Sequence, residues 1–481
     1  MIEAGLGAAV AAAPSTAGRR AEIGELAAGL RAAGFTGAAL REAFRGATNI
    51  VASGPELAIH ERRLAAAGAP LGRLFVLGLP TPTEDVPRSL AELASALDLV
   101  DERDGTIAPR VRIVPHDDLL ILADLPDRRE PDHVASVHPP SVTLAALTVR
   151  RTVDTALDVG TGCGVQALLA ARHARHVVAT DVNERALAFA EFSTALNGVE
   201  NVELRAGSFF EPVRDERFDL LVANPPYVIS PESALVFRDS GLPGDTVSAE
   251  LVRAIPAHLA DDGFATVLVS WIAGDDALER PRSWLAGSAC DAWIVHTGTE
   301  DALGTAATWN RSAATSEVGY EERVDAWLDY YARLGIEHVG YGAIVLHRRD
   351  GENWIRSAEL PPDRLQPASE QLERMFAASD VDVLATPLRL VDGAFVDRTG
   401  KLVDGTWSFA GATVRLETGI GFGANLDHYG ALVVSALDGR APLGERLDDL
   451  TRGLSRPPDE VRAFAEQLAR HLVERGFAVP V

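Results

Sequence analysis

Ala156-Leu157-Asp158-Val159-Gly160-Thr161-Gly162-Cys163-Gly164 is the stretch on which the fold turns. Four residues of apolar strand run straight into glycines, and a helical pattern opens at Val165. Glycines at such a point let a ligand approach the backbone, and a helix N-terminus favours a negative group. Asp181 closes the next strand, 21 residues after Gly160 (181 − 160), where an acid grips a ribose diol. A nicotinamide fingerprint would place glycine at position 165; Val165 stands there. The run is D-x-G-x-G-x-G instead.

Outward from that loop the rhythm is regular. Short apolar runs at 156–159, 177–181, 202–206, 218–223 and 264–270 alternate with helical stretches at 165–174, 184–197 and 246–260. This predicts a parallel sheet with helices on both faces. Two more strands are expected at 291–296 and 338–347, with a helix near 321–334 in the interval between them. Directly after the 218–223 strand stands Asn224-Pro225-Pro226-Tyr227. An Asn held at a strand end by two prolines is a rigid hydrogen-bonding device. Its side-chain oxygen and the Pro225 carbonyl can accept the two hydrogens of a planar NH2 group. Tyr227 can stack on that plane.

Together these motifs resemble class I S-adenosylmethionine-dependent methyltransferases, in particular those N-methyltransferases with Asn-Pro-Pro-Tyr that modify planar NH2 groups: the release-factor glutamine, adenine-N6 and ribosomal-RNA guanine enzymes. The resemblance covers roughly residues 138–275. The nearest likeness is to the glutamine group, through the glycine loop, Asp181, Asn197-Gly198 and Asn-Pro-Pro-Tyr. It implies a Rossmann-like, seven-stranded α/β core and S-adenosyl-L-methionine as cofactor. Asp158, Gly160, Gly162, Gly164, Asp181, Ser208 and Phe209 would hold the cofactor, with Asp158 near its methionine portion and Phe209 against the adenine. Asn224, Pro225 and Tyr227 would hold the acceptor. Two positions depart from the pattern. Ser208 stands near the adenine where an acid is common, and His138-Pro139-Pro140-Ser141 replaces the Pro-Arg and acidic element upstream.

Three units are expected: a helical and winged-helix-like domain at 1–130, the methyltransferase domain at 131–355, and an α+β, winged-helix-like domain at 356–481. The first rests on helical patterns at 20–50 (broken at Gly34 and Gly46), 55–67, 71–79 and 87–99, then a turn at Asp104-Gly105 and a strand at 111–122. The last is strand-rich to Leu416 and then helical at 429–437, 443–453 and 458–475. The Ala-rich segment 1–14 has Glu3 where a signal peptide would be basic, and is read as frayed.

With 47% hydrophobic and 24% charged residues the chain is globular rather than disordered. No apolar run approaches the roughly 20 residues of a membrane helix. Cys163 and Cys290 make neither a disulfide framework nor a metal motif, and suit a reducing cytoplasm. A net charge of −24 disfavours broad nucleic-acid binding. A protein substrate is therefore favoured, with a glutamine-type amide as acceptor. A base in structured RNA or DNA is the second reading, and a cofactor-sensing binding protein with a degenerate core the third. Of the weaker motifs, His116-Asp117-Asp118 reads as a solvated turn. His173 and His176 share a helix face but lack a third ligand. Gly419-Ile420-Gly421-Phe422-Gly423 reads as a tight turn. The loop Phe237-Arg238-Asp239-Ser240-Gly241 is either a border of the acceptor pocket or a surface turn.

Overall fold

The computed structural model describes residues 13–46, 54–126, 128, 130–232, 238–239, 241–311, 317–378, 381–451 and 457–481. Most of the 1–14 segment, Phe237 and Ser240 therefore lie outside the described residues. The chain opens with α1 (Arg20–Ala32), α2 (Gly37–Ala43) and α3 (Gly54–Ala66). A short π-helical turn, Gly72–Val76, replaces the helix expected at 71–79. Next come β1 (Thr81–Pro82), α4 (Arg88–Ala96), β2 (Val100–Arg103) and β3 (Thr106–Pro109), and the three strands build one small sheet in the order β1-β3-β2. The single strand expected at 111–122 is a hairpin, β4 (Arg112–His116) and β5 (Leu119–Ala123). It reverses at Asp117, whose φ of +52° is a turn conformation that Asp tolerates.

The central unit begins with α5 (Pro139–Leu147), β6 (Val153–Val159), α6 (Val165–Ala170), β7 (Ala174–Asp181), α7 (Glu184–Leu196), β8 (Val202–Ala206) and β9 (Phe218–Ala223). It continues through α8 (Thr246–Ala254), β10 (Leu259–Ala273), α9 (Glu279–Trp284), β11 (Cys290–Asp301), α10 (Ala302–Asn310), α11 (Glu317–Leu334), β12 (His338–Arg348) and β13 (Ile355–Glu359). These strands form one sheet in the order β13-β11-β12-β10-β9-β6-β7-β8. β12 runs antiparallel to both neighbours, and the other pairings are parallel. The expected seven strands are joined by an eighth, β13, which crosses the expected boundary at residue 355. The chain leaves β6 for β7 and β8 on one side, then returns to β9 and β10 on the other. The carboxyl ends of β6 and β9 therefore flank the point where winding reverses, which is where open α/β sheets bind ligands.

Two helices end earlier than their patterns suggested. α6 stops at Ala170, which puts His173 in the following turn and His176 in β7, so the two share no helix face. His173 pairs with the Arg151 carbonyl and His176 with Glu203. α8 gives way at Ala254 to a short 3-10 turn that contains Pro256, whose ring cannot continue the helix ladder.

The C-terminal unit adds α12 (Ser369–Ala377), β14 (Pro387–Leu390), β15 (Ala394–Val403), β16 (Thr406–Leu416) and β17 (Gly423–Leu426). It ends with α13 (His428–Ala436), β18 (Asp438–Pro442), α14 (Leu443–Thr451), α15 (Pro458–Glu474) and β19 (Ala478–Pro480). The helix α12 was not foreseen in a segment that reads as polar and then strand-rich. It buries Leu372, Met375 and Phe376, a helical stripe, in the core shared with the sheet, while the buried Gln371 bonds to Ile420 and Arg475. That core is continuous with one face of β10, β11 and β12, whereas the N-terminal unit shares a core with α6 and α7. The C-terminal unit is thus packed on the central sheet itself, and the N-terminal unit on the helices that cover it. No helix among the described residues is long and apolar enough to cross a membrane.

Candidate active site

A cleft lies at the reversal point. Its first wall is the loop after β6. Gly160, Gly162 and Gly164 take φ of +72°, +54° and +83°, which glycine alone adopts cheaply. The Gly160 and Thr161 amides both donate to the Thr180 carbonyl at 2.9 Å, and the Gly162 amide donates to Asp181 Oδ2 at 2.9 Å. A Cβ on Gly162 would meet no atom within 4 Å, and one on Gly160 would come no nearer than 4.0 Å to the Asn224 carbonyl. The loop thus offers bare backbone to the cleft.

Asp158 and Gly164 support this loop from behind and do not line the cleft. Asp158 is 1% exposed, and its Oδ2 accepts from Thr161 Oγ1 at 2.7 Å and from the Ala167 amide at 2.9 Å. Burial pushes its carboxyl up to about 7, against the pull of those bonds. At Gly164 a Cβ would sit 3.0 Å from the Ala190 Cβ, so its role is close packing on α7.

Asp181 lies at the end of β7 and lines the cleft. Its Oδ1 accepts from the Asn183 amide at 2.8 Å and its Oδ2 from Gly162. Burial raises its pKa, and the backbone amides of Asn183, Gly162 and Val182 restrain the rise. A carboxylate fixed at both oxygens keeps lone pairs for two further donors. Ser208 and Phe209 also line the cleft. Phe209 holds φ +45°, and its carbonyl accepts from Thr180 Oγ1 at 3.2 Å. A bulky residue in that region costs roughly 1–3 kcal/mol, and such strain concentrates at functional sites.

Asn224 and Pro225 follow β9, on the far side of the glycine loop. Asn224 is half-buried and lines the cleft, and its side-chain amide has no hydrogen-bond partner among the described residues. The Pro225 carbonyl accepts from the Tyr227 amide at 2.8 Å, so one of its two lone pairs is already engaged. The Tyr227 carbonyl accepts from Ser270 Oγ, and burial raises the Tyr227 phenol.

Other residues complete the cleft. Over the glycine loop lies the segment entering α5. His138 Nδ1 sits 3.0 Å from both the Ser136 carbonyl and Ser141 Oγ, and burial lowers the imidazole's pKa, keeping it neutral. Ser136 Oγ is buried without a partner among the described residues. On the Asn224 side stand Arg238 and Trp309. Arg238 thus belongs to the pocket border rather than to a surface turn. Trp309 lies 85 residues beyond Asn224 (309 − 224), and no local pattern marks it.

The weaker motifs resolve into structure. Asp117 pairs with Arg41 and Asp118 with Arg172. The Gly419 stretch is a turn whose Ile420 amide donates to Gln371 Oε1 at 2.8 Å. Both cysteines are buried and free, and no cluster that could hold a metal occurs among the described residues.

Residues 140–268 match the family model described as methyltransferase small domain. The release factor glutamine methyltransferase of Xylella fastidiosa is 34% identical over 132 residues, 24% of this chain and 47% of that protein. That of Cereibacter sphaeroides is 40% identical over 123 residues, 23% of this chain and 44% of its own length. The ribosomal protein uL3 glutamine methyltransferase of Bradyrhizobium diazoefficiens is 38% identical over 125 residues, 23% and 39%. The chain therefore spans less than half the length of these relatives. With a glycine loop, a strand-end acid and an Asn-Pro-Pro-Tyr segment gathered at the reversal point of such a sheet, the core of the chain is a class I S-adenosylmethionine-dependent methyltransferase fold that resembles the release factor glutamine methyltransferase group.

Proposed function

We propose that the chain is an S-adenosylmethionine-dependent N-methyltransferase whose acceptor is a planar NH2 group, the side-chain amide of a glutamine in a protein. The observation that carries this reading is Asn224: a half-buried amide at the mouth of a strand end, without a partner among the described residues, in the same cleft as the glycine loop. A polar side chain so placed calls for a hydrogen-bonding ligand. The cleft fits the cofactor on two counts: the orphaned Ser136 hydroxyl, and the space at Gly162 that a side chain would fill. Asp181 would hold the ribose, Gly160 and Gly162 the methionine end, and Ser208 and Phe209 the adenine. Asp158 and Gly164 would act by shaping the loop.

S-adenosylmethionine supplies a methyl group already activated on a sulfonium. The protein's task is then alignment. An amide nitrogen is a poor nucleophile because its lone pair is delocalised. Asn224 Oδ1 and the free lone pair of the Pro225 carbonyl accept its two hydrogens and orient it for in-line attack. In this reading the winged-helix-like flanks at 1–130 and 356–481 serve a protein acceptor in the cytoplasm, consistent with a charge of −24 and two free thiols.

The test is incubation of the protein with cell lysate and methyl-labelled cofactor, followed by total enzymatic digestion. Label in N-methylglutamine is the expected result. Label in methylated nucleosides, with none in amino acids, overturns the amide in favour of a base.

A further inference from the structure

The two helices inserted between β11 and β12 bring to the acceptor side a residue that no motif marks. α10 is capped by Asp301, whose Oδ1 accepts from the Gly304 amide at 2.6 Å, and Trp309 comes two turns later. Its indole Nε1 donates to the Tyr341 hydroxyl at 3.1 Å, which fixes the ring. Burial pushes the Tyr341 phenol up to about 12, so the hydroxyl stays protonated. Asn310, fully buried, accepts from Arg323 Nε at 2.9 Å, and Arg323 Nη2 donates to Glu232 Oε2 at 2.8 Å. The same Glu232 oxygen accepts from Arg238 at 2.8 Å. The Tyr331 hydroxyl donates to the Ile229 carbonyl at 2.8 Å. The insertion is thereby locked to the chain that follows Asn-Pro-Pro-Tyr, and Tyr227, Tyr341 and Trp309 border one apolar cluster.

The charge on this wall is already balanced. Arg238 is 6% exposed, and both oxygens of Asp239 accept from it, at 2.7 and 2.9 Å, besides Glu232. A guanidinium so occupied is a poor receptor for a phosphate or carboxylate. Among the described residues of this wall, what remains for a ligand is aromatic surface, the Asn224 amide and the Pro225 carbonyl.

We propose that Trp309 determines acceptor specificity: with Tyr227 it forms an aromatic slot, electrically neutral, that takes an uncharged planar group such as a carboxamide and presents it to Asn224. This rests on the reading that the Asn224 end of the cleft receives the acceptor. Tyr341 is then a positioning residue that holds the indole in place.

N-acetylglutamine amide serves as probe, titrated in the presence of S-adenosylhomocysteine and read by calorimetry and tryptophan emission, with adenosine monophosphate as the anionic comparison. The amide is expected to bind wild type and quench one component of the emission. That component should be missing in Trp309→Phe, which keeps a flat ring and binds within a few-fold of wild type. Trp309→Ala should weaken the amide roughly ten- to a hundredfold, the range for loss of one aromatic stacking partner. Tyr341→Phe should fall between the two. S-adenosylhomocysteine affinity, unchanged within twofold in all three, shows that the fold and the cofactor half are intact. If Trp309→Ala binds the amide as wild type does, the inference fails while the amide reading stands. If wild type binds the nucleotide and not the amide, the neutral slot and the amide reading fail together. Binding of neither probe also overturns the slot.

Discussion

The two halves of the cleft are built by different means. The half proposed for the cofactor is made of backbone: three glycines at positive φ, a carboxylate held by two amides, and a strained Phe209, all within the 52-residue span from Asp158 to Phe209 (209 − 158 = 51, both ends counted). The half proposed for the acceptor is made of side chains that come from the β9 end, from the loop at Arg238 and from α10. A cofactor that never changes can be met by one local motif. An acceptor that differs between enzymes is met by whatever loops and insertions surround the constant part. The two halves should therefore fail differently when damaged: one in cofactor affinity, the other in turnover.

The largest separation is expected at Asn224. Asn224→Ala should leave cofactor affinity and fold as they are and lower kcat more than it raises KM, because the amide is oriented fully only as the methyl approaches. Removal of one aligned acceptor costs about 3–4 kcal/mol, on the order of a hundred- to a thousandfold in rate. Asn224→Asp keeps an acceptor of similar size and should retain more activity than alanine. Single-turnover methylation beside a cofactor titration measures both. Wild-type turnover in Asn224→Ala would erase the distinction between the halves.

Asp181→Ala is the mirror experiment. Loss of a charged acceptor costs about 1.5–3 kcal/mol, roughly ten- to a hundredfold in cofactor affinity. The acceptor KM at saturating cofactor should hold. Calorimetric titration with S-adenosylmethionine reads the first and steady-state kinetics the second. An unchanged cofactor Kd would place the ribose elsewhere in the cleft.

The brace behind the acceptor half provides a smaller effect that belongs to that half alone. Glu232→Ala leaves Arg238 with Asp239 and Arg323 with Asn310, at a cost of about 1–3 kcal/mol for charged hydrogen bonds of which one partner is buried. The thermal midpoint should drop and the acceptor KM rise, while S-adenosylhomocysteine binding stays put. A drop in cofactor affinity of the same size would mean that the two halves are one mechanical unit.

The same contrast explains what could be read from the residues alone. The glycine loop, Asp181 and Asn224 stand on strand ends whose apolar runs are contiguous in sequence, so their meeting at a reversal point follows from the alternation of strands and helices. Trp309 comes from an insertion held by Asn310, Arg323 and Glu232, contacts across 13 to 91 residues that no period records. Asp158 and Gly164 stand behind the loop rather than in the cleft lining for a related reason. A motif gives positions along the chain, and the side of the loop each residue faces is decided by packing against Thr161, Ala167 and Ala190. α12 was missed because its apolar positions, Leu372, Met375 and Phe376, are few and sit among charges, and only the sheet face they cover reveals the stripe.

Asp158 gives an effect on stability alone, with no acceptor or turnover involved, and one that tests whether the cofactor half is truly preformed. Its folded pKa, about 7, lies above the roughly 3.9 of an unfolded aspartate. Between those values the folded chain holds a proton that the unfolded chain has released. The stability this group contributes is therefore fully present below pH 4 and is lost as pH rises through 7, with a slope of at most about 1.4 kcal/mol per pH unit. Asp158→Asn removes the titration without removing the staple, since both described bonds reach the single oxygen Oδ2 and an amide oxygen can accept both. Other carboxylates titrate in either protein, so the informative quantity is the difference between the two denaturation midpoints at each pH, taken without cofactor. The variant should gain on wild type steadily from pH 5 to pH 7 and keep a constant lead above pH 8. A difference that does not change with pH would show the Asp158 carboxyl ionised in the folded chain, and the glycine loop would then depend on a buried charge rather than on a neutral staple.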